Sequence, residues 1–288
     1  MRHPCAFPFS LHCGTALAFV ALAHAASAAE TSPEPLQAEL VAEHAALVPG
    51  RSLSLGVRLR HAPHWHSYWI NPGDSGLPTK LAWSLPSGYA AGDVAWPVPK
   101  RFDVGGLYNI GYDGDVLLPV ALTVPSDGTV GSNAHVALTV KWLVCREECL
   151  PGKATLALDL PVARELPRPD ARWTAAFTRA RLAQPQASAW SGGVHDDGAR
   201  IVVRLAGAGL PPASVALDAF VVQRKVVDNR PPAIRRDGDA LVIEAARSEY
   251  FTQAPPQIDL VVTTTDGVAT RGWHVRVPYA AAGTAHAN

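Results

Sequence analysis

Apolar residues in this chain gather in short runs closed off by Gly, Pro, Asn or Asp. Over 53–59 they alternate with period two, which places Leu53, Leu55, Val57 and Leu59 on one face of an extended segment. That is the pattern of a half-buried strand. The same texture predicts strands over 66–70, 80–85, 116–123, 135–144 and 154–160. Near Pro161 the pattern changes. Residues 164–170 are rich in proline and charge, and 171–182 then read as one helix, with Trp173, Ala176, Phe177 and Ala180 on a common face and Pro185 as the stop. From about Ala187 strands resume, at 200–205, 220–227, 240–244, 258–264 and 273–277, with Asp196-Asp197-Gly198, Asp237-Gly238 and Asp266-Gly267 as hairpin-type turns. The predicted fold class is all-β: two immunoglobulin-like β-sandwich domains joined by a short helical linker. The expected boundaries are 29–162 for the first sandwich, 163–185 for the linker, 186–282 for the second sandwich and 283–288 for a disordered tail.

The amino terminus follows a different logic. Arg2 and His3 precede an apolar run from about Thr15 to Ala23, and Ala25-Ala26-Ser27-Ala28-Ala29 offers an A-x-A cleavage site. This predicts a signal peptide over 1–28, cut after Ala28, and hence a protein exported to an oxidising compartment outside the cytoplasm. The run is shorter than the roughly 20 residues a membrane span needs, and Cys13 lies ahead of it, where a lipoprotein cysteine would not. Cleavage would remove Cys5 and Cys13 and leave Cys145 and Cys149 as a pair in an exported chain, the setting in which disulfides form. Charge is balanced at 25 basic against 25 acidic residues, which gives no electrostatic reason to expect nucleic acid or an anionic membrane as partner. No later run is long and apolar enough to span a bilayer. The 25 prolines and 23 glycines add to the all-β reading, since both punctuate strands.

Cys145 and Cys149 carry the concentrated chemistry. In an extended strand residues four apart lie roughly 13 Å from each other, whereas a disulfide needs its Cα atoms within about 4.4–6.8 Å. Arg146-Glu147-Glu148 must therefore curl into a turn or a single helical turn. So small a loop makes a poor staple, because loop-closure stabilisation grows with loop length. Reversible opening is the better use for it; an inert loop staple is the alternative. Zinc normally wants four ligands, and two cysteines supply only half. Arg146 favours a thiolate at this site while Glu147 and Glu148 oppose it.

A series of further motifs surrounds the pair: His64-Trp65-His66-Ser67-Tyr68-Trp69-Ile70-Asn71-Pro72-Gly73-Asp74-Ser75-Gly76-Leu77-Pro78, Trp83-Ser84-Leu85-Pro86, Trp96-Pro97-Val98-Pro99, Tyr108-Asn109-Ile110-Gly111-Tyr112-Asp113, Leu117-Leu118-Pro119-Val120 and Trp142 to Pro151. In this order, over about 36–162, they resemble the amino-terminal periplasmic domain of the DsbD/ScsB protein-disulfide reductase family. The second sandwich resembles, more loosely, the extra subdomain of the ScsB-like branch. The resemblance implies an immunoglobulin-like domain that passes electrons by thiol-disulfide exchange, with Cys149 forming the mixed disulfide and Cys145 resolving it. It implies no cofactor. It also implies a loop that caps the pair, matched here by about 103–112, with Tyr108 as the shielding aromatic and Asp103 and Tyr112 beside it. Periplasmic thioredoxin-fold proteins are the implied acceptors. Members of the family continue into a membrane domain and a thioredoxin-like domain, and this sequence has no Cys-x-x-Cys motif, so a separate membrane thiol-reducing transporter is the expected donor.

Two readings compete with electron relay. One is a redox-inert immunoglobulin-like binding module of the cell envelope. The other is copper handling, for which His61, His64 and His66 form an H-x-x-H-x-H cluster where His64 and His66 would share a strand face. The aromatic block of Trp65, Tyr68 and Trp69 around them favours plain ring packing instead. Asn71 to Gly76 reads as a turn, since Ser75 lacks the flanks of a nucleophile elbow.

Overall fold

The computed structural model describes residues 34–212, 214–264 and 271–279. The expected leader (1–28), the Asp266-Gly267 turn and the tail (283–288) lie outside the described residues.

The first sandwich uses ten strands: β1 (Leu36–Ala42), β2 (Ser52–His61), β3 (His66–Gly73), β4 (Lys80–Ser84), β5 (Ala90–Val94), β6 (Lys100–Val104), β7 (Leu107–Asp113), β8 (Asp115–Thr123), β9 (Asn133–Cys145) and β10 (Cys149–Pro161). One sheet runs β1-β2-β8-β5; the other runs β10-β9-β3-β7-β6, with β4 also pairing β9. The period-two set Leu53, Leu55, Val57 and Leu59 is buried throughout. It shares one core with Trp69, Val136, Leu138 and Val140 of the other sheet, as inward-facing positions of two stacked sheets must.

The helix α1 (Thr174–Leu182) buries Phe177 and Ala180 against Val41 and Leu117, with Trp173 and Ala176 partly covered at the same place. Arg181 ties its far end to Glu43 at 2.7 Å. The second sandwich follows with β11 (Gln186–Ala187), β12 (Ser191–Asp196), β13 (Arg200–Ala206), β14 (Leu217–Val221), β15 (Ala233–Asp237), β16 (Ala240–Ala246), β17 (Gln257–Thr264) and β18 (Gly272–Pro278). Its sheets run β11-β18-β17-β14 and β12-β13-β16-β15.

Two expectations shift. The strand placed at 220–227 is β14 and ends at Val221; the chain then bends, with Lys225 at a left-handed φ of 63°, so that Val226 turns back into the second core. The turn expected from Asn71 onward begins later, because β3 continues to Gly73. Its register against β7 breaks between Tyr68 and Gly73, an irregularity that accommodates Pro72, which has no N–H for a ladder.

The sandwiches share apolar contacts. Phe220 of β14 joins the first core and meets Trp69 edge-on, at 6.2 Å between centroids.

Candidate redox site

Cys145 ends β9 and Cys149 begins β10, facing each other at the closed end of that long hairpin, with a disulfide between them and Cα atoms 4.1 Å apart. The intervening Arg146-Glu147-Glu148 closes on an Arg146 N–H to Glu148 carbonyl bond of 3.0 Å. The curl demanded by the spacing is thus a hairpin turn. Facing residues of an antiparallel pair come within about 4.5–5.5 Å, so the ladder itself delivers the sulfurs to each other. Burial divides the pair: Cys145 is 2% exposed while Cys149 is open to solvent.

β3 supplies what covers the buried sulfur. The Tyr68 side chain is fully buried, and its hydroxyl donates to Cys145 Sγ at 2.8 Å, with Cys149 Sγ at 3.8 Å. Burial raises the phenol's pKa, so it holds its proton and remains a donor. Behind it stands Asn109 of β7. Asn109 Oδ1 accepts from the Ser75 hydroxyl at 2.7 Å, which turns its amide nitrogen toward Tyr68 Oη at 3.3 Å and His66 Nε2 at 3.1 Å. His66 lies opposite Cys145 in the β3–β9 pairing. Its ring stacks on Phe102 at 4.6 Å and meets Tyr68 edge-on at 5.3 Å. Desolvation, reinforced by His61 and opposed by Asp113, lowers the His66 pKa to about 4. A ring that accepts from Asn109 through Nε2 is neutral, which agrees with that direction. Outside this enclosure, Arg146 lies over the Trp65 ring at 5.2 Å, and Glu147 and Glu148 are exposed.

The buried imidazole has a pH signature. Its folded pKa lies below the unfolded value of about 6.5, so the folded state is disfavoured wherever the unfolded chain binds the extra proton. Its contribution is therefore intact above about pH 6.5 and is lost as pH falls toward 4, amounting to on the order of 3 kcal/mol at the acid end. Urea unfolding of wild type and His66→Gln between pH 7 and pH 4 checks this. The variant should show the flatter stability profile, and parallel profiles would remove His66 as the source.

Over 34–161 the sequence matches the family model described as thiol:disulfide interchange protein DsbD, N-terminal. Residues 34–161 are a DsbD N-terminal domain. Among solved structures, the N-terminal periplasmic domain of ScsB from Proteus mirabilis superposes with a TM-score of 0.64 at 20% identity, covering 87% of this chain and 97% of that one. The likeness shows a common fold and extends past the DsbD-type domain into the second sandwich. Weaker likenesses carry no argument: the major pilin subunit BcpA* (D312A) of Bacillus cereus has a TM-score of 0.27 at 9% identity, covering 85% of this chain and 66% of that one. The titin domains Z1Z2 in complex with telethonin reach 0.20 at 14%, covering 85% and 96%. No curated protein sequence matches the chain.

Within the DsbD-type domain, the segment expected as a cap loop is mostly strand. It runs from the end of β6 through the Gly105-Gly106 turn, both glycines left-handed, along β7. Asp103 is exposed and accepts the Gly106 N–H at 2.9 Å, which holds the turn. Tyr108 faces Asp103 across the hairpin and donates its N–H to Asp74 at 2.7 Å. The Tyr112 ring is buried in the sandwich, stacked with Trp96, and its hydroxyl donates to the Pro97 carbonyl at 2.7 Å. The hydrogen bonds found for these three lead to turn, strand and core. The aromatic hydroxyl on the sulfurs belongs to Tyr68, and the hairpin reaches the pair through Asn109 and through Phe102. Tyr68 was within reach of period-two reasoning, because it falls two residues after His66 and so on the same face.

The histidines do not line up as expected. His64 adopts a left-handed φ of 70° in the exposed turn before β3, so only His66 stands on the strand. Among the described residues no group of three or more His, Cys, Asp or Glu is placed to hold a metal, and none of their helices is long and apolar enough to cross a membrane.

Proposed function

We propose that this protein is a periplasmic thiol-disulfide interchange protein that relays electrons through Cys145 and Cys149. The observation that carries the reading is the unequal setting of the sulfurs: Cys149 is presented to solvent, while Cys145 is buried under a hydroxyl donor. A donor thiolate can attack Cys149 Sγ, forming a new S–S bond there. The Cys145–Cys149 bond breaks, and its electron pair leaves on Cys145 Sγ. The Tyr68 O–H already points at that atom, and a hydrogen bond to a charged acceptor is stronger than one to a neutral sulfur. The donor's second thiol then attacks the mixed disulfide, leaves as part of a donor disulfide, and frees Cys149. Both cysteines are now reduced. Delivery runs in reverse: Cys149 attacks the acceptor disulfide and Cys145 resolves the mixed intermediate. A membrane thiol-reducing transporter as donor and thioredoxin-fold proteins as acceptors suit this chemistry, as does the periplasm named for the ScsB domain of like fold.

Redox titration of the folded mature chain, with thiol trapping and mass readout, tests the proposal. The pair should equilibrate with dithiothreitol or a protein dithiol. A bond that resists excess dithiothreitol in the folded state would overturn the relay and leave the inert binding module.

Tyr68→Phe isolates the leaving-group donor. Hydrogen bonds to charged groups contribute about 1.5–3 kcal/mol, so reduction by dithiothreitol should slow about tenfold or more. The rate is measured by stopped-flow or quenched trapping, and an unchanged rate would strip Tyr68 of this role.

A further inference from the structure

Arg101 is a buried cation that the exchange steps leave without a task. It belongs to β6, its side chain is 8% exposed, and it reaches out of the DsbD-type domain into the second sandwich. There its fork closes on the Asp218 carboxylate, Nε to Oδ2 at 3.2 Å and Nη2 to Oδ1 at 2.9 Å. Nη2 also donates to the Ala219 carbonyl at 3.0 Å, and Nη1 to the Asn229 carbonyl. The guanidinium lies over the Phe220 ring at 4.7 Å. Nearby, the Asn71 amide donates to the Val221 carbonyl at 2.7 Å, and the Asn229 amide to Asp74 at 2.8 Å. Asp74 in turn accepts the Tyr108 N–H. β3 and the β6–β7 hairpin, the two elements that build the cover over Cys145, are thus gripped at several points by one surface of the second sandwich.

The grip matters because β6 is an edge strand, bonded within its sheet only to β7. Edge hairpins belong to the low-stability end of a fold and open locally at little cost. In the β6–β7 register Arg101 faces Ile110, and its neighbour Phe102 faces Asn109. Fixing Arg101 therefore fixes the pair that stacks on His66 and hydrogen-bonds Tyr68. A buried ion pair is a weak source of net stability but a strong constraint on orientation when all its donors are met, and breaking one partner away is costly. The forked arginine comes close to that condition, with four of its five N–H donors bonded.

We infer that the second sandwich is a brace for the redox site, and that Arg101, held by Asp218, Ala219 and Asn229, is the positioning residue through which it keeps Asn109 and Tyr68 aligned on Cys145. This rests on the exchange reading above. The second sandwich then has a role without any chemistry of its own.

The test uses the full mature chain, with Arg101→Met to keep the stem and remove the fork, and Asp218→Asn as a nearly isosteric partner variant should Arg101→Met fail to fold. Reduction by dithiothreitol should slow about fivefold or more in either variant. In a Tyr68→Phe background the same substitution should add nothing, because Arg101 acts through Tyr68. A folded variant with the wild-type rate, or slowing that multiplies with that of Tyr68→Phe, would overturn the brace. If Tyr68→Phe is slowed and Arg101→Met is not, the exchange reading stands and the brace alone fails. A readout free of any reaction is the Asn109 side-chain amide and His66 ring resonances of the oxidised protein. They should shift or broaden in the variant; unchanged resonances would overturn the brace even if the disulfide proved inert.

Discussion

Cys145→Ser should convert the protein into a trap. With its resolving sulfur gone, Cys149 remains exposed at the hairpin tip, and a mixed disulfide formed there has no second thiol in this chain to release it, so only a second thiol on the partner could do so. Non-reducing electrophoresis or intact mass after incubation with a thioredoxin-fold protein left with one active-site cysteine, presented as its mixed disulfide with 2-nitro-5-thiobenzoate as the leaving group, should show the linked species accumulating. The mirror variant behaves otherwise. In Cys149→Ser the surviving thiol is Cys145, 2% exposed and covered by Tyr68, and thiol reactivity follows access as well as thiolate character. Alkylation of the two single-cysteine proteins by iodoacetamide should differ by about 100-fold in favour of Cys149, since Cys145 reacts only after local opening. Equal rates would mean that the sulfurs are not divided into an attacking and a resolving member. Both variants should lose net dithiol transfer.

Gly111→Ala should be among the most damaging single changes at the site. A Cβ at Gly111 would fall 1.8 Å from the Ser67 carbonyl oxygen and 2.9 Å from the Tyr68 Cα, both backbone atoms that cannot swing aside. β3 and β7 would have to part where Tyr68 faces Gly111. Overpacking against backbone lies at the upper end of the range for such changes, about 3 kcal/mol or more of lost stability, read from the urea midpoint. The hydroxyl should leave the sulfur with it, so dithiothreitol reduction should slow in whatever fraction stays folded. Gly105→Ala is the control: nothing lies within 4 Å of its Cβ, and only its φ of 64° is strained, which costs about 1–2 kcal/mol. A Gly111→Ala protein as stable as this control would contradict the tight β3–β7 approach.

These expectations draw on features that the sequence reveals unevenly. The alternation of Leu53 to Leu59 is legible because one buried face imposes period two on a single strand, and the spacing of Cys145 and Cys149 forces a turn whatever the rest of the fold. The face of Trp173, Ala176, Phe177 and Ala180 is legible for the same local reason. The cover over Cys145 is not local. Asn109 reaches Tyr68 across 41 positions and Arg101 reaches Asp218 across 117, and nothing in the pattern around either partner announces the other. The β6–β7 hairpin hides for another reason. Its strands are short and mix Lys100, Arg101 and Asp103 with Phe102 and Val104, because β6 is a sheet edge whose Arg101 is committed to the other sandwich. Tyr108 and Tyr112 attract notice as aromatics, yet one is held by the hairpin and the other by the core.

The long ladder behind the cysteines sets how the two redox forms compare. From Leu150 opposite Val144 down to Pro161 opposite Asn133, β9 and β10 are joined by a ladder that does not depend on the bond between the sulfurs at the tip. In the relay proposed above, oxidation and reduction would then change two atoms at the end of one frame, with little nuclear rearrangement to slow either half-reaction. A protein docking in that relay would meet the same contour in both forms. It must tell a loaded carrier from an empty one by sulfur chemistry alone, so the direction of traffic is left to the relative potentials of the proteins that dock.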